Sequence, residues 1–325
     1  MTCIIDLLII GGGPAGLNAA INAASEGLKV MLLDDGQSPG GQARESNAIE
    51  NYAGFPEGIT GNELMSRMVM QAIKFGVIFQ CPCKAAAIAR NGDDLVVITD
   101  DYQSFTAKTV LLSIGLQYRR LNASNVGALM GRGVYYGMPP FAIPKGKKCL
   151  VAIVGGANSA GQAAVRVAEN QKALVHLFIR KTIDVQMSTY LIDRLRNTPN
   201  VIIMEHCEIK EVGGRIWLKY IKYSCNGAAP ITLDMDNMFI FIGAVPRTMW
   251  LDHIIELDDD RFVRTGSGVS HADNSVRRPM HYETSMQGVF AAGDARAYAT
   301  KRISAAVGEG SAVVQQIHQY LASMG

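Results

Sequence analysis

Ile9-Ile10-Gly11-Gly12-Gly13-Pro14-Ala15-Gly16 closes an apolar run and opens a helical pattern, and the rest of the chain is read outward from it. Residues 4 to 10 are almost wholly aliphatic, as a strand covered on both faces of a parallel sheet must be, and Leu17 to Ala24 follow with helix formers. The glycines divide the work of the turn among them. Gly11 allows a tight bend, Gly13 lets backbone N–H groups approach a pyrophosphate, and Gly16 lets helix pack close on strand. Unpaired N–H groups and the helix dipole at Pro14, Ala15 and Gly16 favour an anion there. Val30 to Leu33 read as the next strand, ending in Asp34, whose carboxylate is placed to accept ribose hydroxyls. Together these residues predict a dinucleotide site.

At 325 residues the chain suits two domains of ordinary size. Hydrophobic content of 48% against 18% charge excludes a disordered or fibrous chain. Net charge is +2, and no basic stretch exceeds Lys145-Gly146-Lys147-Lys148, so nucleic acid is not an expected partner. The N-terminus carries Asp6 and no basic leader, and no apolar run is long enough to span a bilayer; a cytoplasmic location is the expectation. Six cysteines, at 3, 81, 83, 149, 207 and 225, show neither metal spacing nor a CxxC pair. Cys149, Cys207 and Cys225 sit in or beside strand-like runs and read as buried, inert thiols, and no disulfide framework or metal site is expected.

Gly40-Gly41-Gln42, Ile49-Glu50-Asn51-Tyr52-Ala53-Gly54-Phe55-Pro56 and Gly61-Asn62-Glu63-Leu64 follow the first unit. With them the chain resembles the flavin-binding half of low-molecular-weight thioredoxin reductases. That resemblance implies FAD, with Gly41, Gln42 and Asn51 beside it and Gly115 ending a strand against it. It extends to Gly288-Val289-Phe290-Ala291-Ala292-Gly293-Asp294, where Asp294 would accept from the ribityl chain. Lys301-Arg302-Ile303 would open the last helix at the flavin pyrimidine edge, where a positive helix end stabilises a reduced anion. A homodimer is implied in the same way.

A second β-α-β pattern begins at Cys149 and carries Gly155-Gly156-Ala157-Asn158-Ser159-Ala160-Gly161. Its second strand ends in Arg180-Lys181 where the first unit has an acid, a pair suited to a 2′-phosphate and so to NADP. Ala157 stands in place of the middle glycine and Ile179 where the family carries a histidine. Segment 133 to 141, Gly-Val-Tyr-Tyr-Gly-Met-Pro-Pro-Phe, aligns with the family's Cys-x-x-Cys-Asp; Gly137 and Pro140 replace the thiols and Phe141 the acid. Tyr135, Tyr136 and Phe141 then form an aromatic patch, either stacked on the flavin or on a second planar molecule, or packed as an interdomain surface. A diflavin-linked disulfide oxidoreductase subgroup offers the alternative of a second FAD in place of NADP(H). Cys81 and Cys83 are left as the one local redox pair; closing them needs a turn at Pro82, since extended strand would hold the Cα atoms about 6.6 Å apart.

The expectation is an α/β protein with two Rossmann-like domains of the thioredoxin reductase type, the second inserted in the first. Residues 1–118 and 248–325 bind FAD, and residues 119–247 bind NADPH or a second flavin. Its activity is that of a flavin-dependent oxidoreductase with a small-molecule or protein redox partner; the alternative is a flavin-bearing sensor or interaction module without turnover.

Overall fold

The computed structural model describes residues 4–46, 49, 51–138, 148–170, 172–270 and 277–324. β1 (Ile5–Ile10), α1 (Pro14–Ser25) and β2 (Val30–Leu33) open the chain. β1 lies between β2 and β6, parallel to both, and its side chains, Asp6 apart, are aliphatic on both faces. α2 (Gly61–Lys74) starts at Thr60, whose hydroxyl accepts from the Glu63 N–H at 3.2 Å, a cap that satisfies one of the first-turn donors. β3 (Ile78–Gln80), β4 (Ala85–Asn91), β5 (Asp94–Thr99) and β6 (Ser104–Leu112) complete this part of the sheet. β3 stops at Gln80, because Pro82 has no N–H and the Cys83 N–H donates to the Asp34 carbonyl at 2.7 Å instead of extending a ladder.

β7 (Leu116–Tyr118) leads into the second unit, which holds β8 (Val134–Tyr136), β9 (Cys149–Val154), α3 (Asn158–Ala168), β10 (Ala173–Ile179), α4 (Thr189–Arg196) and β11 (Val201–Glu205). An antiparallel sheet of β12 (Cys207–Gly213), β13 (Tyr220–Cys225) and β14 (Ile231–Asp234) follows, then β15 (Asn237–Ile240). The parallel sheet runs β11-β10-β9-β15-β8. β16 (Ala244–Pro246) leads back to the first unit, where β17 (Val289–Ala291) pairs with β6 and α5 (Ile303–Ser323) ends the chain. The first sheet is ordered β3-β2-β1-β6-β5-β4, with β17 also on β6.

Two compact units result, Met1–Gln117 with Val245–Gly325, and Tyr118–Ala244. In the first, α1 packs against the sheet and α5 through small side chains; a Cβ at Gly310 would lie 2.3 Å from the Ala15 carbonyl oxygen, so α5 can approach α1 only with glycine there. Leu17, Phe290, Val313 and Ile317 are fully buried at this junction. The second unit has its own cores on the two faces of its parallel sheet.

The cysteines differ from expectation. Cys149 is buried and free, but Cys207 and Cys225 form a disulfide rather than two inert thiols. Eighteen residues separate them in sequence, yet the register of β12 on β13 sets them directly opposite each other. Pro140 and Phe141 lie outside the described residues.

Candidate functional site

Three segments of the first unit converge on the N-terminus of α1. Gly11 has φ +100°, and a Cβ there would meet the Ser113 carbonyl oxygen at 2.5 Å. At Gly16 a Cβ would fall 2.1 Å from the Gly11 carbonyl oxygen, so the helix lies against the turn that precedes it. Gly13 differs in kind: its φ of −73° suits any residue, and a Cβ there would meet nothing within 4 Å. Packing does not require glycine at 13, and the space it leaves opens in front of the first turn of α1. That turn has no side-chain cap and no acidic residue, and Pro14 at its start gives up an N–H that would have been unpaired anyway. Ala15 and Gly16 are buried behind this opening.

Asp34 ends β2 with 7% of its surface exposed, accepting from the Gly12 N–H at 2.6 Å through Oδ2 and from the Gly36 N–H at 2.8 Å through Oδ1. A carboxylate offers about four lone-pair sites, so two N–H bonds leave acceptor capacity for hydroxyls. Burial pushes the Asp34 carboxyl above its ordinary value, and the two N–H bonds only partly oppose this. The following loop returns over the turn: the Gly40 N–H donates to the Gly12 carbonyl at 2.7 Å, and a Cβ on Gly41 would come within 3.4 Å of Gly13 Cα. Gln42 donates its amide to the Leu116 carbonyl at 2.6 Å, which ties this loop to Gly115 with its φ of +59°. Asn51 is exposed.

The third segment is the turn after β17. A Cβ at Gly293 would be 2.9 Å from the Ala15 Cβ, so Gly293 and Asp294 sit beside the start of α1. Two residues absent from the sequence-based expectations hold them there. Glu309, on α5, accepts from the Gly293 N–H at 2.7 Å and from Arg296 Nε at 3.1 Å, and the Glu309 and Arg296 side chains are each only 13% exposed. The one sequence signal for this pair is that Glu309, flanked by Gly308 and Gly310, is the only acidic residue of its helix. Burial raises the Asp294 carboxyl, with the nearby Lys301 charge opposing it. The Lys301 ammonium donates to the carbonyls of Asp294 at 2.6 Å and Arg296 at 3.2 Å and lies 4.4 Å from the Phe262 ring centroid. It is thus folded onto its own loop. Arg302 is the exposed N-cap residue of α5, and Ile303 opens the helix.

In the second unit, Gly155 would carry a Cβ 2.4 Å from the Phe241 carbonyl oxygen and Gly156 one 3.0 Å from Ile179, so both are packing glycines. Ala157 is the N-cap of α3 at φ −103°, a conformation open to any residue. Asn158 is engaged by the α4 start, accepting from Ser188 N–H at 2.8 Å and Oγ at 3.1 Å; Ser159 is exposed and Ala160 buried. Arg180 and Lys181 stand exposed just past β10. The expected aromatic patch does not form from its two described tyrosines. Successive residues of β8 face opposite sides of the sheet, so Tyr135 is buried against Phe239 in one core while Tyr136 stacks on Tyr118 beside the other.

Cys81 and Cys83 are free thiols, half-buried beside Asp34. Burial, and then the Asp34 charge, push the Cys81 thiol up to about 11, and burial raises Cys83 as well. At pH 8 only about one Cys81 in a thousand is then thiolate, a poor nucleophile. Alkylation of Cys81 by iodoacetamide, followed by peptide mapping, should accelerate about tenfold per pH unit from pH 7 to 10 without levelling. A plateau near pH 8.5 would refute this environment.

Residues 5–310 match the pyridine nucleotide-disulphide oxidoreductase family, and the chain belongs to it. It is 30% identical over 318 residues to an alkyl hydroperoxide reductase subunit of Staphylococcus epidermidis, covering 97% of this chain and 59% of that protein. It is 29% identical over 321 residues to a 34.2 kDa protein in the rubredoxin operon of Clostridium pasteurianum, covering 98% and 97%. Thioredoxin reductase from Streptococcus pyogenes superposes with a TM-score of 0.77 at 29% identity, over 99% of this chain and 100% of that one. The chain therefore spans about three-fifths of the alkyl hydroperoxide reductase subunits it matches. Its fold is the α/β fold of the thioredoxin reductases, with two Rossmann-like domains, and the family implies FAD and NAD(P)H as cofactors. Among the described residues no helix is long and apolar enough to cross a membrane.

Proposed function

We propose that this chain is an FAD-dependent oxidoreductase in which the first unit binds FAD and the second binds NADP(H). Electrons would pass to or from an external thiol, disulfide or other small redox partner. The observation that carries the reading is the space at Gly13, left open by packing and set in front of an uncapped helix start, with buried Asp34 on its flank. A pyrophosphate fits that cradle, with the N–H groups of Ala15 and Gly16 facing it and Asp34 on the adenosine ribose. Gly41, Gln42, Asn51 and Gly115 would line the side toward the ring. Asp294 would take the ribityl hydroxyls, and the N-terminus of α5 at Arg302 and Ile303 would face the ring's polar edge, where the helix dipole favours negative charge. When bound, the flavin supplies the hydride and electron chemistry, and the protein sets its orientation and potential.

In the second unit, the α3 start at Ala157, Asn158 and Ser159 would receive the nucleotide diphosphate, and Arg180 and Lys181 the 2′-phosphate. At about 1 kcal/mol for each of these exposed contacts, Arg180→Ala with Lys181→Ala should weaken NADPH binding about 30-fold while leaving NADH binding unchanged. Equal weakening of both nucleotides would remove the 2′-phosphate assignment. With no CxxC among the six cysteines, the family's dithiol is not the proposed route of electrons.

The direct test is anaerobic titration of the flavin-loaded protein with NADPH, after cofactor release has given the flavin per chain. One flavin per chain, bleached by NADPH, is the expected result. A ratio near two would place a second flavin in the second unit, and one flavin that neither NADPH nor a dithiol bleaches would leave a sensor.

A further inference from the structure

We propose that the Cys207–Cys225 disulfide is a thiol–disulfide exchange site that takes two electrons from an external dithiol, with Cys225 the sulfur attacked. It is the one disulfide among the described residues, and it lies on the antiparallel sheet of the second unit. The Asn226 N–H donates to the His206 carbonyl at 2.9 Å, the bond that brackets a pair of opposed residues not themselves hydrogen-bonded. In an antiparallel ladder, side chains approach most closely at such positions. The two sulfurs are unequal: Cys207 is 3% exposed, whereas Cys225 is half-buried and ends its strand at the Asn226-Gly227 turn. A nucleophile reaches Cys225, and Cys207 is the leaving group.

The surroundings suit a bond that opens and closes. Cys207 Sγ lies 3.1 Å from the Glu205 carbonyl oxygen, an acceptor in place for the thiol once the bond is reduced. The ladder does not depend on the cross-link: Glu208 pairs with Ser224, Ile209 with Tyr223 and Val212 with Ile221, and Ile209, Val212 and Ile221 are almost completely buried. Reduction therefore leaves the cysteines opposed and ready to re-form the bond. The described free cysteines at 81, 83 and 149 are all held toward the thiol form by burial, which makes them poor attacking groups, and the proposal takes an external dithiol as the donor.

Atoms and electrons balance in two steps. One thiolate of the dithiol attacks Cys225 Sγ; the S–S bond breaks, and its electron pair leaves on Cys207 Sγ, which takes a proton. The second thiolate then attacks the reagent sulfur of the mixed disulfide, closing the reagent's own disulfide and releasing Cys225, which is protonated in turn. The dithiol loses two electrons and two protons, and the protein gains both.

The test uses native, full-length protein and dithiothreitol under anaerobic conditions, quenched with iodoacetamide and mapped by peptide mass spectrometry. Alkylation of Cys225 in the native fold, and of Cys207 when the quenched protein is then unfolded in fresh iodoacetamide, is expected at reductant levels that leave the circular dichroism unchanged, with the disulfide restored when the reductant is replaced by an oxidant. Labelling of either cysteine without reductant, or of Cys225 only when the protein is reduced in denaturant, would overturn the proposal. The single variants check the direction of attack. Cys225 in Cys207→Ser should form a mixed disulfide with oxidised glutathione about tenfold faster than Cys207 in Cys225→Ser, because accessibility controls the rate. The reverse order would overturn the assignment of Cys225.

Discussion

Gly13→Val is expected to fold with its melting temperature unchanged within about 2 °C and to lose FAD binding by at least 100-fold, the largest separation of stability from function available in this chain. The cause is steric and local. A Cβ at residue 13 meets no protein atom within 4 Å and sits at a φ that any residue adopts, so the first carbon of the new side chain brings the apoprotein no clash and no strain. The valine would instead fill the cradle in front of the first turn of α1, where the pyrophosphate has to contact backbone. A hundredfold loss corresponds to about 2.7 kcal/mol, a modest figure for removing several charge-assisted N–H contacts. Gly16→Ala is the matched control with the opposite signature. Its methyl would lie 2.1 Å from the Gly11 carbonyl oxygen, so the fold itself should be destabilised by about 1–3 kcal/mol. Calorimetry with flavin titration separates the two; Gly13→Val that retains flavin would show that the turn holds no dinucleotide.

The second large effect is expected from Glu309→Leu, which should destabilise the first unit by about 3 kcal/mol and lower its melting temperature by about 6–12 °C. Glu309 and Arg296 form an ion pair with little solvent, and the same carboxylate accepts from the Gly293 N–H. Leucine leaves a mostly buried guanidinium and a backbone donor without that partner. Glu309→Gln should lose roughly half as much, because its amide oxygen still accepts from Gly293 although the charge is gone. Flavin affinity should fall in both variants, since Asp294 is set by the turn that Glu309 holds. A melting temperature within 1 °C of the parent for Glu309→Leu would show that the pair is not structural.

The parts of the site legible in the sequence are those whose chemistry is local. The glycine turn, its flanking strand and helix, Asp34 at the next strand end and the basic pair after β10 each lie within a β-α-β unit, where short connections and one handedness restrict the outcome. Aliphatic runs marked β1 and β9 for the same reason: burial on both faces leaves little room for polar side chains. The sequence could not distinguish the role of Gly13 from that of Gly16. Both are glycines in one turn, and only the neighbouring atoms show that one is needed for packing while the other leaves space.

What the sequence by itself determined is the pair of nucleotide-type units and the resemblance that led to the family, since both rest on motifs of fewer than forty consecutive residues whose backbone demands are met nearly anywhere. What only the tertiary structure decided are the relations between distant segments: Glu309 reaching Gly293 and Arg296, Lys301 folding onto its own loop, Tyr135 and Tyr136 facing different cores, and Cys207 meeting Cys225 across two strands. Each depends on a register or a helix crossing set by the packing of the whole unit. A shift of one residue along β12 would turn Cys207 to the other face of the sheet and leave two thiols where the fold makes a bond.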